Sequence, residues 1–320
     1  MNRFDERDTI FSRMELVPGS DRYEAYYARR PELKQADDQL RKAPPGLFKS
    51  EWIDMARIDS TFRFLKDLRP LAEQSAGRKH TGFTADDKSL LEIARTLRET
   101  AIEYGAVLYG EAVPSLECFY SVRGRGDSYG RPVTDPLRNV LVFAVEMDRE
   151  KISRAPKTAE AKEVTRGYVR AVVIGLILSY FLRELGFEAR CHTEGETELI
   201  LPAAAQAAGL GGIGRIGLLL TEDYGPMVRL GAVTTNFPVF SIPGEKQTKT
   251  SAPADFCAAC DICARHCPGR AISREPASQI ISSEKPPRTP WKTNPEACFK
   301  MWNKFGTDCG ICIAVCPYGN

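Results

Sequence analysis

The chain has 320 residues, with 44 Lys and Arg against 42 Asp and Glu and a formal net charge of +2. Hydrophobic residues make up 43% and charged residues 27%, which excludes a wholly disordered chain and allows one large or two modest domains. The near-neutral charge gives no sign of bulk nucleic-acid binding, so a nucleic-acid partner is not expected.

The sequence predicts a cytoplasmic protein without a membrane partner. The first twenty residues contain no apolar run of the kind found in secretory signals. The pair Arg29 and Arg30 is similar to the start of a twin-arginine signal, but polar residues follow where a hydrophobic region is required. The most apolar stretch, residues 171–182, is shorter than the roughly 20 residues that cross a bilayer.

The N-terminal part of the chain predicts helices. Residues 1–80 are polar and charged with interleaved aromatic side chains, which favours a helical arm packed over a core. A clearer helix is predicted from Thr84, which can cap it, to Gly105, which is placed to end it. Its apolar stripe consists of Leu90, Leu91, Ala94, Leu97 and Ala101.

The middle of the chain predicts a mixed core. Residues 139–145 form a short apolar run rich in β-branched side chains, which indicates a buried strand. Residues 163–185 predict a long apolar helix closed by Gly186, and residues 228–233 predict another strand. A polar segment with two prolines, residues 241–255, is typical of a linker to a separate C-terminal unit.

Eight of the ten cysteines lie in two runs near the end of the sequence. The first run consists of Cys257, Cys260, Cys263 and Cys267, and the second consists of Cys298, Cys309, Cys312 and Cys316. Each run ends in Cys-Pro, and the first has the bacterial ferredoxin spacing, in which the fourth Cys ligates the other cluster. The spacing therefore predicts two [4Fe–4S] clusters, with Cys267 serving the second run and Cys316 serving the first.

Two alternatives to this prediction exist. Eight thiolates also suffice for two zinc sites, although zinc sites favour separated pairs of cysteines, and a variant with a single cluster is the other possibility. The isolated Cys118 and Cys191 are predicted to be small buried hydrophobic residues and not ligands. Two neighbouring clusters form an electron path, so the preceding residues must hold the group that receives the electrons.

A glycine-rich segment precedes the cysteine runs. Gly209, Gly211 and Gly214 match the bare dinucleotide fingerprint, but an Ala-rich helix precedes them where that motif requires a strand. Two interpretations remain open: a turn that needs glycine, or a flat backbone surface against a large planar cofactor. The glycines alone do not distinguish a flavin from a corrinoid.

Several short motifs in order resemble a known family. They are Asn139–Asp148, Gly167-Tyr168, Leu182–Gly186, Leu201-Pro202, Ala208–Gly211, Gly214-Arg215, Tyr224–Leu230 and the two cysteine runs. In combination they resemble the corrinoid- and iron–sulfur-dependent reductive dehalogenases and their relative, epoxyqueuosine reductase. The likeness extends from about residue 100 to Cys316, the last cysteine of the motif. Residues 23–38 also resemble the N-terminal region of the dehalogenases.

The resemblance implies an α+β fold. A nitroreductase-like core at residues 81–240 would bind cobalamin in the base-off state, followed by a ferredoxin-like domain for two [4Fe–4S] clusters at residues 241–320. The corrinoid-binding residues would be Gly209, Gly211, Gly214 and Arg215. No histidine need ligate cobalt in this family, which agrees with a chain that holds only His80, His192 and His266.

The resemblance also implies catalytic residues. Tyr168 matches the family's proton donor, and Arg229 is the best candidate in the sequence for a cation that stabilises the phenolate, because Met227 stands where dehalogenases tend to carry an arginine. Glu194 and Glu196 lie where relatives carry Asn or Asp, and a carboxylate there is closer to epoxyqueuosine reductase. A solvated acidic turn is the alternative interpretation of these two residues.

These observations favour a cytoplasmic oxidoreductase of the reductive dehalogenase type. The expected substrate is a small molecule, an organohalide, and the expected electron donor is a low-potential protein such as ferredoxin or flavodoxin. Reduction of an epoxide is the first alternative. Non-catalytic binding or reduction of a corrinoid is the second.

Overall fold

The computed structural model describes residues 3–44, 46–76, 87–239, 252–275 and 291–319. Its helices are α1 (Ile10–Glu15), α2 (Asp21–Arg29), α3 (Pro31–Arg41), α4 (Trp52–Glu73), α5 (Asp87–Glu103), α6 (Arg149–Ile152), α7 (Thr158–Glu184), α8 (Leu201–Ala207), α9 (Ala252–Ala259), α10 (Ile262–His266), α11 (Pro295–Phe305) and α12 (Ile311–Ala314). Its strands are β1 (Leu108–Ala112), β2 (Asn139–Glu146), β3 (Ala189–His192), β4 (Gly212–Ile213), β5 (Leu219–Leu220) and β6 (Val228–Thr235). The predicted domain boundaries after residues 80 and 240, together with His80 and Thr84, lie outside the described residues.

An antiparallel sheet of four strands, in the order β1-β2-β6-β3, forms the centre of the fold. Side chains alternate across β2, as a strand with both faces covered requires. Leu141, Phe143 and Val145 pack with α5 and α7 on one face. Val140 and Val142 pack with α8 on the other. The predicted strand at residues 139–145 is confirmed, and its apolar run is continuous because helices cover both faces.

The central helix α7 packs against the sheet and against α4. Gly175 permits this contact, because a Cβ there would lie only 2.6 Å from the Sγ of Cys191. By length and composition alone α7 is also apolar enough to cross a membrane, although half of its apolar window is buried within the fold. That burial is typical of a core helix.

The N-terminal arm is helical, as the sequence predicts. Its aromatic side chains Tyr23, Tyr26 and Tyr27 are buried and pack around Leu16. Helix α4 continues from the arm and lies along α7, so the arm is joined to the core by a long helix–helix contact.

The arm also contacts the cysteine-bearing part of the chain through α11, which begins before Cys298 and continues into the ten-residue gap between Cys298 and Cys309. The ring of Phe11 lies 6.1 Å from that of Phe299 and 5.3 Å from that of Trp302. The first part of the enlarged loop expected from the spacing, residues 299–305, is therefore helical and contacts the arm.

A buried arginine strengthens this junction. The guanidinium of Arg13 lies 3.3 Å from Asp37 and also pairs with Glu296 on α11. Asn303 on α11 donates a hydrogen bond of 2.9 Å to the carbonyl of Leu40. Both side chains of the Arg13–Asp37 pair are at most 2% exposed, so this contact is part of the interior.

Candidate functional site

The cysteines gather into two groups, and each group draws on both runs. Cys257, Cys260, Cys263 and Cys316 line one cavity. In the other group burial raises the pKa of Cys298, Cys309 and Cys312, and neighbouring thiols of the group, Cys267 among them, add to each of these shifts. This exchange of the last cysteine is the arrangement that the spacing predicts. Ligation itself stays a prediction.

The first group, at the turn between α9 and α10, fits a [4Fe–4S] cluster in its chemistry. Burial raises the pKa of Cys257 and raises that of Cys263 to about 11, and a bound iron–sulfur cluster would compensate for the burial of the thiolates. The backbone N–H of Arg215 donates to the Sγ of Cys257 over 3.3 Å, and such bonds to sulfur are typical of cluster sites.

The second group fits a cluster for the same reasons. Burial raises the pKa of Cys309 to about 11, and the backbone N–H of Ala271 donates to the Sγ of Cys267 over 3.2 Å. Across the described ranges, no three His, Cys, Asp or Glu side chains converge tightly enough to hold a single metal ion. A four-iron cluster does not require its thiolates to converge on one point.

The glycine-rich segment forms the β4–β5 hairpin and the residues just before it. Gly211 and Gly214 lie against other residues of the protein. Gly211 has φ +158°, and a Cβ there would collide with the carbonyl of Leu220. A Cβ on Gly214 would collide with the side chain of Leu220 and lie 3.3 Å from the Sγ of Cys257. Gly209, at φ +75°, ends the turn after α8. These contacts fit the turn interpretation.

Arg215 is expected to bind a corrinoid, but its side chain instead contacts the loop of the first cysteine run. It is 2% exposed and donates to the backbone carbonyls of that loop. The segment predicted to bind a corrinoid therefore shows no surface that fits one in the described contacts, and no reaction step is assigned to it.

Tyr168 and Arg229 are brought together. The guanidinium carbon of Arg229 on β6 lies 4.8 Å from the centre of the Tyr168 ring on α7. A Cβ on Gly167 would lie 2.6 Å from the Cγ of Arg229, so the absence of a side chain there lets Arg229 cross the helix. The Nε of Arg229 is buried without a hydrogen-bond partner among the described residues, which leaves a donor for a bound molecule.

The sequence departure at Met227 has a structural counterpart. Met227 is 4% exposed and packs in an apolar cluster with Ile152, Val164 and Ile313, against which the ring of Tyr168 also packs. A methionine therefore fills space there, and Arg229 supplies the cation beside the phenol.

The environment of Tyr168 favours the protonated phenol. Arg229 lowers its pKa, but burial and the carboxylates of Glu194 and Asp308 outweigh that effect, so that the pKa is raised above 10. The neutral phenol is therefore the resting form at neutral pH, as a proton donor requires.

Glu194 approaches this pair as an anion. It pairs with Arg69 at 3.0 Å and with Arg125 at 2.6 Å. Burial alone would raise its pKa, but the two arginines outweigh burial and the pKa is lowered. A carboxylate held in this state is a poor proton donor at neutral pH.

Glu196 belongs to a different network. Its carboxylate pairs with Arg123 and with Arg190, each at 2.6 Å, and its side chain is 4% exposed. Gly195, at φ +71°, lies between the two glutamates, which pair with different arginines. The interpretation as a solvated acidic turn is therefore wrong for both residues, because arginines surround them.

One buried acid escaped the sequence analysis. Glu160 on α7 is 1% exposed and faces Asp308 and Arg229. Burial, with a smaller contribution from Asp308, raises its pKa to about 9, although Arg229 opposes the shift. An acidic residue near the start of a helix is usually explained by the helix dipole, so the sequence does not indicate that Glu160 is buried with a raised pKa.

Residues 256–320 match the family model described as a 4Fe-4S dicluster domain. Tetrachloroethene reductive dehalogenase of Desulfitobacterium hafniense is 33% identical over 187 residues, which cover 57% of this chain and 33% of that protein. The enzyme of the same name from Sulfurospirillum multivorans is 31% identical over 189 residues, covering 58% and 36%. The chain is a relative of the reductive dehalogenases. It spans about a third of the length of these curated relatives.

Two further comparisons define this relationship. The solved catabolic reductive dehalogenase NpRdhA superposes on this chain with a TM-score of 0.71 and 21% identity. The match covers 100% of this chain and 42% of that chain. This likeness shows a shared fold. Epoxyqueuosine reductase of Lactococcus garvieae is 31% identical over 124 residues, covering 38% of this chain and 32% of that protein.

Proposed function

We propose that this chain is the catalytic part of a cytoplasmic reductive dehalogenase that cleaves a carbon–halogen bond. One observation carries the proposal: a tyrosine with a raised pKa and an arginine form a pair in a chain that also has two groups of four cysteines and is similar to tetrachloroethene reductive dehalogenases. The net reaction consumes two electrons and one proton, and it replaces the halogen by hydrogen and releases halide.

The two cysteine groups would hold [4Fe–4S] clusters, which supply one-electron transfer. A low-potential protein such as ferredoxin or flavodoxin would deliver the electrons. Neither a membrane nor a nucleic acid is part of the proposal, since the charge is close to neutral and α7 is the core helix.

Cobalamin in the base-off state is the proposed receiver of the electrons. The support is the family resemblance and a related solved structure described as suggesting a mechanism for B12-dependent dehalogenation, with a TM-score of 0.72 and 21% identity. A bound corrinoid would supply low-valent cobalt for this reduction, but Gly209, Gly211, Gly214 and Arg215 are not proposed to hold it, because the contacts of that segment lie within the chain.

The protein's own contribution is made by the Tyr168–Arg229 pair. The phenol would donate its proton to the carbon that loses the halogen, and Arg229 would stabilise the phenolate left behind. Glu194 would act as a fixed anion that keeps the phenol protonated until the reaction.

Epoxide reduction is the second candidate, and Glu194 is the observation that favours it. A carboxylate lies near Tyr168, where the resemblance to epoxyqueuosine reductase places an acid. Its lowered pKa argues against a proton-donor role. A corrinoid-binding protein without catalytic activity is the remaining alternative.

The test is turnover after anaerobic reconstitution with iron, sulfide and cobalamin, using reduced viologen as donor and tetrachloroethene, an aryl bromide or an epoxide as substrate. Tyr168→Phe removes only the hydroxyl and should lower halide release by roughly 10²–10⁴-fold while the iron content stays constant. The matched control is Tyr180→Phe, on the same helix, whose ring stacks with Arg183 at the surface.

The other outcomes assign the alternatives. Epoxide turnover without halide release, lost in Glu194→Gln and retained in Tyr168→Phe, would favour the epoxide reductase. Uptake and reduction of cobalamin without turnover of any substrate would favour the non-catalytic protein.

A further inference from the structure

Arg215 is buried beneath the loop of the first cysteine run. Its Nε donates to the carbonyl of Cys260 over 2.9 Å, and one Nη donates to the carbonyl of Cys257. The other Nη donates to the carbonyls of Ser273 and Arg274, over 3.1 and 2.6 Å. One guanidinium therefore joins two ligand residues to the segment that comes after the run.

The same residue reaches the sulfur through its backbone. The N–H of Arg215 donates to the Sγ of Cys257. At the second group the equivalent donor is the N–H of Ala271, on the Sγ of Cys267, from a residue without charge. The two groups thus share a backbone bond to sulfur, and the first has in addition an arginine side chain beneath its loop.

The side chain of Arg215 contacts neutral groups. The acceptors of its side chain are neutral carbonyls, and its guanidinium carbon stacks 3.8 Å from the centre of the Trp291 ring. The neighbouring carboxylate of Asp261 instead pairs with Arg265 and Arg274, both at 2.9 Å. A buried cation held by neutral acceptors acts strongly on nearby charge, because little solvent screens it.

A reduced cluster carries one more negative charge than the oxidised cluster. A fixed positive charge beside it therefore stabilises the reduced state, and the potential of a cluster depends on net charge, hydrogen bonds to sulfur and exposure. Arginine combines that charge with a planar fork that binds several acceptors at once, whereas lysine supplies the charge alone.

We propose that Arg215 is a positioning residue for the first-run cluster, whose loop it holds closed and whose reduction potential its charge raises. The inference rests on the proposed presence of a [4Fe–4S] cluster in each cysteine group. The consequence is that the cluster of Cys257, Cys260, Cys263 and Cys316 is reduced at a higher potential than it would be without the charge of Arg215.

The experiment is a redox titration of the reconstituted full chain, followed by electron paramagnetic resonance. Cys260→Ser, which alters the spectrum of its own cluster, assigns the signals. Arg215→Gln removes the charge and keeps the backbone N–H. At a fixed potential it should lower the ratio of reduced to oxidised first-run cluster by about tenfold, which is 59 mV for a one-electron couple.

Two controls separate charge from general damage. Arg215→Lys keeps the charge, so most of the potential should remain. Arg274→Gln removes an arginine of the same loop whose side chain is 64% exposed, and both potentials should stay unchanged. The second-run potential should change little in every variant.

Three results would overturn the proposal. They are an unshifted first-run potential in Arg215→Gln at full iron content, an equal shift in Arg215→Lys, and loss of both clusters in Arg215→Gln. Loss of the first-run cluster alone in Arg215→Gln, with both clusters assembled in Arg215→Lys, would support it. A wild-type chain that binds zinc or only four irons fails the cluster proposal itself, before Arg215 is tested.

Discussion

Gly167, which precedes Tyr168 on helix α7, leaves room for the side chain of Arg229. Glycine costs a helix interior roughly 1 kcal/mol relative to alanine, so its presence needs a compensating contact. Here the compensating contact is made by Arg229, because a Cβ on Gly167 would collide with the Cγ of Arg229. The motif is thus a device that sets a cation over the phenol ring.

Gly167→Ala should therefore lower turnover without unfolding the protein. The helix gains intrinsic propensity, while Arg229 must shift away from Tyr168 and stabilises the phenolate less. Halide release by the reconstituted chain measures the effect, and circular dichroism measures the fold. Val173→Ala, at an exposed position of the same helix, should leave turnover unchanged. Full activity in Gly167→Ala would contradict the role of this crossing.

Glu194 should stabilise the fold at neutral pH and lose that contribution in acid. Its pKa is lowered in the folded state, so its stabilisation is present above the unfolded value of about 4.3 and disappears as the pH falls through the folded value. Glu194→Gln should cost about 2 kcal/mol of unfolding free energy at pH 7, since it weakens charged hydrogen bonds to Arg69 and Arg125.

Denaturant unfolding at several pH values checks this prediction. The difference between the wild type and Glu194→Gln should narrow below about pH 4. Glu150→Gln serves as the control, because Glu150 pairs with Arg154 at the exposed surface. A difference that grows in acid would show that the folded carboxyl has a raised pKa.

Sequence reasoning found some of these residues and missed the ones that set their properties. Tyr168 and Arg229 follow from the family resemblance, and the structure brings them together. The partners Arg69 and Arg125 lie far apart in sequence and meet Glu194 only through long-range packing. Local pattern carries no information about such pairs, which is also why the position of Arg215 beneath the cysteine loop was not predicted.

Helix α11 shows how a loop insertion became a docking element. Its caps are readable from the sequence, with Asn294 accepting from the N–H of Ala297, Pro295 in the first turn and Gly306 at φ +83° after the last. Its partner is not readable, because the contact of Phe11 with its aromatic rings joins distant parts of the chain. The spacing alone therefore predicts an enlarged loop, but it does not predict that this loop contacts the N-terminal arm.

Arg13→Ala should weaken this junction strongly. It removes the buried partner of Asp37, a fully buried carboxyl whose pKa burial already raises, and breaking a buried pair typically costs about 3–5 kcal/mol. Urea unfolding measures the loss. Arg29→Ala, which breaks pairs with Asp5 and Asp8 at a side chain that is 33% exposed, should cost less than about 1 kcal/mol. Equal effects would mean that the arm is not held by its buried pair.

Across the whole molecule, the two cysteine groups are interdependent. Cys267→Ser should remove or alter the cluster of Cys298, Cys309 and Cys312 and leave the spectrum of the other cluster recognisable, although Cys267 belongs to the first run in sequence. Iron content and electron paramagnetic resonance measure the outcome. Cys118→Ala, at a buried cysteine outside both groups, should keep about eight irons per chain. Damage confined to the first-run cluster would contradict the exchange.

The main strands and helices could be predicted from the sequence, but the order of the strands in the sheet could not. The strands β2 and β6 and the helix α7 follow from local periodicity. Their order in the sheet depends on antiparallel pairings between strands separated by long helices, which no local pattern specifies. Leu199 makes only a single bridge to Phe119, because the segment turns at once into α8.

The exchanged cysteines have a consequence for biosynthesis. A nascent chain that has emerged as far as Cys267 carries three thiols of one group and one of the other, so neither set is complete. A cubane delivered at that moment would keep an iron atom open to oxygen and to competing thiols. Loading by a cluster carrier is therefore expected after translation, onto a chain whose arm and sheet already hold both runs side by side.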